Sequence, residues 1–269
     1  MPHQTEKVER AAAGDDGDVV VRECTTIEEF NACVRLQREV FGMPDLELSP
    51  RRHLIVSRSA GGWILGAFSA ADDELVGFVH HLAAVRGEEI TGYSHMMAVS
   101  ARYQNRGLGA RLKWAQRRRA IDEGRNFIRW TFEPTQARNA HFNLNRLGIS
   151  IRSYAVNYYG WDAGTEALAA NGEKLNLDSD RLIAEWELRT PRVEQLARGE
   201  HLSSPNDSPP LATVEIPPDW NRLRREDGLT AQSELLRVRS EFQQHFAAGL
   251  VCAGFERDGE RPCYLFYSE

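Results

Sequence analysis

The chain of 269 residues lacks the features that mark several protein classes. It has four cysteines, Cys24, Cys33, Cys252 and Cys263, and no two are spaced as CxxC. That excludes the common zinc modules, so no metal is expected. So few cysteines point to reduced thiols rather than a disulfide framework, and hence to a cytoplasmic protein. No apolar run approaches the ~20 residues of a membrane helix. The opening MPHQTEKVERAAAGDDGD has no apolar core of the kind a signal peptide carries. A membrane is therefore not an expected partner. Basic charge is not in excess either. Against 39 Asp and Glu there are 33 Lys and Arg, a net charge of −6, which gives no electrostatic reason to bind nucleic acid. What is left is an ordinary globular composition, 42% hydrophobic and 27% charged, long enough for one domain with an appendage.

Periodicity supplies the elements. Residues 18–24 read as a strand. Residues 25–42 read as a helix with Ile27, Phe30, Val34 and Phe41 near helical spacing, capped by Thr25 or Thr26 with Glu28 or Glu29. A loop with room for a short helix follows, then strands at 62–70, 74–85 and 90–99. A helix over 106–124 buries Leu108, Leu112, Ala115 and Ile121 and stops at Gly124. A strand at 127–132, a helix over 134–148 begun by Pro134, and strands at 150–160 and 181–189 complete the series. The order β-α-β-β-β-α-β-α-β-β implies an α/β protein, a mixed sheet with helices on its faces.

Residues 1–17 read as a disordered polar tail, 18–189 as the main domain and 190–212 as a linker, rich in Pro, Ser, Asn and Asp over 202–212. Residues 213–269 read as a β-α-β-β extension with its helix over 230–249. That extension repeats the element order of residues 18–85. A degenerate internal duplication and a plain β-rich appendage both fit this order.

The stretch QNRGLGARL, Gln104 to Leu112, is a phosphate-binding candidate. A nucleotide P-loop needs a Lys-Ser/Thr pair that is missing here. The dinucleotide fingerprint needs a third glycine where Leu112 stands. The pattern that remains is Q/R-x-x-G-x-G/A between a strand and a helix, filled by Gln104, Gly107 and Gly109 with Ala110 next. The first N–H groups of a helix have no internal partner and carry positive potential, so a pyrophosphate settles there. Gly107 and Gly109 let it reach the backbone unobstructed.

Placed after the fourth strand, this pattern resembles the GNAT superfamily of acyl-CoA-dependent N-acyltransferases, over roughly residues 18–189. The resemblance implies the GNAT fold, here with a β-rich C-terminal extension, and an acetyl-CoA or other acyl-CoA co-substrate. It implies phosphate contacts from the backbone of Gln104, Asn105, Arg106, Gly107, Leu108, Gly109 and Ala110. It also implies that the backbone of Met97, Ala98 and Val99 pairs with the pantetheine arm. The basic run at 113–119 reads as a solvated helix face, with one member in reach of the CoA 3′-phosphate.

Acyl transfer to an amine needs a base, donors for the oxyanion and a proton for the leaving thiolate. Strand alternation puts Tyr93, His95 and Met97 on one face. By the resemblance, His95 fills one of the family's base positions, and imidazole accepts a proton at neutral pH. Pairing residue 87 with 88 at the hairpin turn would set His80 opposite His95. The helix ARNAHFNLNRLG is similar to the family's second CoA-contacting segment. Ala140 matches its alanine, but Leu144 stands where its acid, a tyrosine, is usual, and Ala137 where its asparagine is usual. Asn139 is the candidate replacement for the asparagine. Tyr154, Tyr158 and Tyr159 are candidates for the acid, Tyr154 first. Glu133, ending the fifth strand, is a candidate second base or ammonium contact. The expected activity is transfer of an acetyl or other short acyl group to a primary amine of a small molecule, an amino acid among the candidates. Leu144 keeps open the alternative of a non-catalytic acyl-CoA-binding module. Exposed late strands leave room for a homodimer.

Overall fold

Local chemistry sets the first elements. Strand β1 (Val19–Glu23) leads into helix α1 (Ile27–Phe41). The Thr26 hydroxyl accepts from the Glu29 N–H at 3.2 Å, and the Glu29 carboxylate accepts from the Thr26 N–H at 2.9 Å. This capping box satisfies two donors that the helix leaves unpaired. Gly42, at φ +60°, closes the other end. A 3₁₀ turn (Asp45–Glu47) and helix α2 (Arg51–Ser59) occupy the expected loop. The computed structural model describes residues 19–161, 166–168, 174–200, 208–257 and 260–269. The expected tail over 1–17 and most of the Pro/Ser-rich stretch, 202–207, lie outside the described residues.

Strands β2 (Trp63–Ser69), β3 (Leu75–Arg86) and β4 (Glu89–Val99) form a meander. Helix α3 (Leu108–Asp122) then leads to β5 (Phe127–Phe132). Helix α4 (Ala137–His141) continues as a π-helical turn over Phe142–Arg146. The expected start at Pro134 is three residues early, because Gln136 is the N-cap. Strand β6 (Ser150–Ala155) is half the expected length, turning away at 156–159. A hairpin of β7 (Glu166–Leu168) and β8 (Lys174–Asn176) had no strong sequence signal. Strand β9 (Arg181–Glu187) and helix α5 (Pro191–Ala197) follow, the helix lying inside the expected linker. The C-terminal part comprises β10 (Ala212–Glu215), α6 (Trp220–Glu226), α7 (Gly228–Ala247), β11 (Leu250–Glu256) and β12 (Cys263–Ser268).

Ten strands make one sheet, in the order β1-β2-β3-β4-β5-β9-β6-β11-β12-β10. Every neighbouring pair is antiparallel except β4 and β5, which run parallel. Helices α1 and α2 cover one face through Phe30, Leu36 and Leu54, packed on Ile64, Phe78 and Ala98. Helices α3 and α4 cover the other through Leu108, Leu112, Ala140 and Leu144, packed with Trp130 and Trp186.

The extension continues the sheet, β11 pairing β6 at Cys252↔Ile151. Its hairpin is inserted in reverse. In the first half β1 pairs the first strand after the helix, whereas β10 pairs β12, the second. The repeated element order therefore builds a different topology, and a duplication is not supported. Three side chains fasten the extension. Asn145 donates to the Phe255 carbonyl at 2.8 Å and accepts from the Phe255 N–H at 3.1 Å. Arg192 of α5 donates to the Leu144 and Ala253 carbonyls at 2.7 and 2.6 Å. The Tyr264 hydroxyl donates to the Pro134 carbonyl at 2.7 Å.

Arg239 of α7 makes a further tie, beside the exposed contacts Gln136–Asn221 and Arg152–Glu269. It donates to Asp180 at 2.8 and 3.0 Å and to Asp178 at 2.7 Å, and the Asp180 side chain is fully buried. Taking away the arginine leaves that carboxylate desolvated without its cation. Arg239→Met is expected to cost about 3 kcal/mol, read as a lower urea midpoint with an unchanged slope.

Candidate active site

The parallel pair β4–β5 is held by only two register pairs, Gly92↔Ile128 and Tyr93↔Arg129. Beyond them the strands part and leave a fork whose first free residues are Ser94 and Trp130. Lys113 of α3 fills the floor of this fork. It is one of three lysines in the chain and is buried. Its Nζ lies 3.1 Å from the Ser94 hydroxyl, 2.6 Å from the Gln116 side-chain amide and 3.7 Å from the centre of the Trp130 ring. Burial drives its pKa well down. The neighbours agree with a neutral amine. Arg125 donates to His81 Nε2 at 2.9 Å, so the neutral ring carries its proton on Nδ1. The Gln116 amide nitrogen lies 3.3 Å from that Nδ1. Lys113 donates to the Gln116 side-chain oxygen at 2.6 Å, a bond that a neutral amine makes as well as an ammonium. His81 is itself pushed down to about 2 by burial and the nearby Arg125 charge. The basic run is thus not simply a solvated face. Lys113 is buried, and Arg117 and Arg119 pair with Glu194, Glu23 and Glu123.

Strand β4 also carries a bulge. From the turn up to His81↔Ser94 the register follows the expected pairing, but the next pair is His80↔Met96. His95 is the extra residue. His80 therefore faces Met96, not His95, and the expected alternation fails beyond it. Met97 packs on the α3 side, while Met96 packs on the α1–α2 side. The bulge still brings the rings of His80 and His95 to 5.4 Å. A third ring, His53 of α2, lies 5.4 Å from His80 and 5.5 Å from His95. His95 Nε2 is 2.9 Å from the Ser49 hydroxyl, and Ser57 is 2.7 Å from His80 Nε2. Burial, then the His53 ring, holds His95 below the usual imidazole range. Burial and both other rings take His80 down to about 3. Among the described residues no three His, Cys, Asp or Glu side chains are arranged to hold a metal ion.

Where β4 ends, the loop has the conformation a phosphate requires. Asn105 and Gly107 take φ +63° and +82°. A Cβ on Gly107 would enter open space, and one on Gly109 would meet nothing nearer than Met97 Cε at 3.4 Å. The N-cap of α3 is Gly107, which has no side chain to offer, so it leaves the first N–H groups, at Leu108, Gly109 and Ala110, without a cap of its own. These residues fit a pyrophosphate. The Gln104 side chain is used internally, donating to the Val99 carbonyl at 2.9 Å. Arg106 stands over the Tyr103 ring, 5.9 Å from its centre. Asn139 is exposed on α4, and Leu144 beneath it is buried.

Two expected catalytic side chains are engaged elsewhere. The Tyr154 hydroxyl donates to Asp180 at 2.6 Å, and its ring packs on Phe242 of α7. Burial and that carboxylate raise its pKa. It sits three strands from β4 and drops out as the acid. Glu133 is 3.5 Å from Arg181 and accepts from Gln136 at 3.1 Å. Tyr158 and Tyr159 lie in edge contact at 4.7 Å, and Tyr159 reaches Thr131 of β5 at 3.0 Å. Burial and both of these phenols raise the Tyr93 pKa. Three tyrosines thus wall one side of the fork.

The fork between parallel β4 and β5, with a glycine loop at the head of α3, is the candidate site for acyl transfer. Residues 29–148 match the acetyltransferase (GNAT) family, and the chain carries a GNAT acetyltransferase domain. No curated protein sequence matches it. Solved structures share the fold. One, described as an acetyltransferase from Acinetobacter baylyi ADP1, is 16% identical, with 64% of this chain and 94% of that chain covered and a TM-score of 0.50. A GNAT family acetyltransferase from Elizabethkingia anophelis with acetyl-CoA bound is 16% identical, covering 64% and 99%, at 0.46. The ribosomal-protein-S18-alanine N-acetyltransferase of Escherichia coli is 13% identical, covering 64% and 95%, at 0.48.

Sequence reasoning missed Ser49, His53 and Lys113. The spacing of His53 and Ser57 by four was the available signal, since it sets both on one face of α2, with Ser49 just ahead of that helix.

Two outcomes are expected. Gly107→Ala forces a side chain into left-handed backbone at a cost of about 1–2 kcal/mol. Calorimetric titration with CoA should show binding weakened by roughly 5- to 30-fold. His80 and His81 bind protons only when unfolded between pH 6.5 and about 3. Stability is full above 6.5 and falls with pH through that window. His80→Asn should reduce the slope of ΔG against pH there by about 1.4 kcal/mol per unit, measured by denaturant titrations from pH 7 to 4.5.

Proposed function

We propose that this chain transfers an acetyl or other short acyl group from acyl-CoA directly to a primary amine of a small molecule, with amino acids the class to test first. Acylation of an amine by a GNAT domain is the general activity; the acceptor and the residue roles are our reading. The observation that carries it is the bulge at His95. It sets a neutral imidazole on Ser49 at the fork, where the reacting ends of donor and acceptor would meet.

The residues divide the work. The amides of residues 105–110 at the head of α3 hold the pyrophosphate. The backbone of Met97, Ala98 and Val99 on the side away from β3, beyond the last β4–β5 pairs, is where the pantetheine arm lies, with the Val99 carbonyl shared with Gln104. Bound acyl-CoA supplies the thioester. His95 takes the proton that the amine must lose before attack. No tyrosine stands at Leu144, and Tyr154 is occupied, so the thiolate leaves without an acid from those positions. Thiols ionise near pH 8.5, which makes the thiolate a tolerable leaving group.

The tyrosine wall supports a small acceptor. Asn157 N–H donates to Asp180 at 3.0 Å, and Tyr159 N–H donates to Ser179 at 2.8 Å. Arg239 grips the same Asp178–Asp180 segment. The extension thereby braces the wall of the acceptor side rather than lying across it.

The test is CoA-thiol release from acetyl-CoA and succinyl-CoA against a panel of amines and amino acids. Turnover with a primary amine is expected. CoA binding without turnover on any amine would leave the non-catalytic reading. His95→Gln should lower kcat/KM by roughly 10²- to 10³-fold. In the parent enzyme the acid limb attributable to His95 should lie below pH 6.5, because only the neutral ring accepts a proton and its pKa is depressed. An unchanged rate and profile in His95→Gln would overturn the base assignment.

A further inference from the structure

His95 has no direct outlet for a proton along its own strand, but Ser49 offers one. The Ser49 hydroxyl is 2.9 Å from His95 Nε2 and 3.4 Å from His53 Nδ1. Ser49 is held in place with unusual care. The buried Gln37 of α1 accepts from the Ser49 N–H at 2.9 Å and donates to the Ser49 carbonyl at 3.2 Å. A buried amide on α1 is thus used wholly to fix one serine between the 3₁₀ turn and α2. His53, in the first turn of α2, is only part-buried.

We propose that Ser49 and His53 form a proton relay that carries the amine's proton from His95 to solvent, with Gln37 as its positioning residue. This rests on the reading of His95 as base. The chain balances. His95 Nδ1 gains the proton that the amine nitrogen loses. Its Nε2–H passes to the Ser49 oxygen, and the Ser49 O–H proton passes to His53 Nδ1. His53 then releases its Nε2 proton to water, one proton in and one out. The titratable groups facing His53 are His80 from β3 and His95 from β4. His80 is no branch of the relay. Its Nε2 is committed to Ser57, and burial keeps the ring neutral.

The relay differs from a structural role in what it moves. Ser49→Ala removes only the hydroxyl, and the Gln37 clamp survives because it grips the Ser49 backbone. This variant should keep the parent Tm and the KM for acyl-CoA. Its kcat should fall about tenfold or more, with a changed solvent deuterium isotope effect. His53→Ala should lose as much and regain most of it with added imidazole, while His53→Gln is not rescued. If His95→Gln is severely impaired but Ser49→Ala and His53→Ala keep the parent kcat, the relay is overturned and the base stands. If His95→Gln itself is silent, the underlying reading falls first. Loss in His53→Ala without imidazole rescue, together with a full-rate Ser49→Ala, would assign His53 to packing and also overturn the relay.

Discussion

A buried amine with no carboxylate partner among the described residues governs the centre of this protein. Lys113 occupies the angle where β4 and β5 part, against Ser94, Gln116 and the Trp130 ring. Continued pairing there would close the fork and leave no backbone free for a ligand. Burying an ion in that position would be costly. The chain avoids the cost by arranging donors so that an uncharged amine satisfies the network. The order runs from the fixed charge of Arg125 through His81 and Gln116 to Lys113. The Arg125 cation thereby fixes the tautomer of His81, while burial keeps Lys113 uncharged.

The bulge at His95 works on the opposite face. One extra residue in β4 turns both His95 and Met96 toward α1 and α2, and returns Met97 to the α3 side. The same strand can then offer a side chain to the acceptor and backbone to the donor. A regular strand would give one set of positions to each face and would separate His95 from Ser49 or Met97 from the cleft.

Much of this was legible in the residues. The capping pair Thr26–Glu29, the Gly107 loop and the strand–helix rhythm to residue 132 are local features, set by neighbours in sequence. What was not legible depends on partners far away. The bulge needs no signature residue, so alternation gave a false face for Met97 and a false partner for His80. The segment ARNAHFNLNR is dense in polar side chains, and at least one of them finds its partner far outside its own helix. Asn145 is there to pair with the Phe255 backbone, 110 residues later. The linker expectation failed over 191–197 for a similar reason, since Arg192 serves carbonyls on the π-helical turn and β11. Tyr154 was a reasonable acid by position on a strand, yet the strand order places β9 and β5 between it and β4.

The segment that matches a known family ends at residue 148, but the sheet does not. Strand β6 has β9 on one side and β11 on the other, so the part after residue 213 covers what would otherwise be an open edge. A recombinant fragment cut at residue 148 would lose β9 and β6 along with the extension, and would carry the edge of β5 bare. Unpaired apolar edges recruit other chains. The unit that can be recognised and the unit that can stay in solution are therefore different lengths of the same polypeptide.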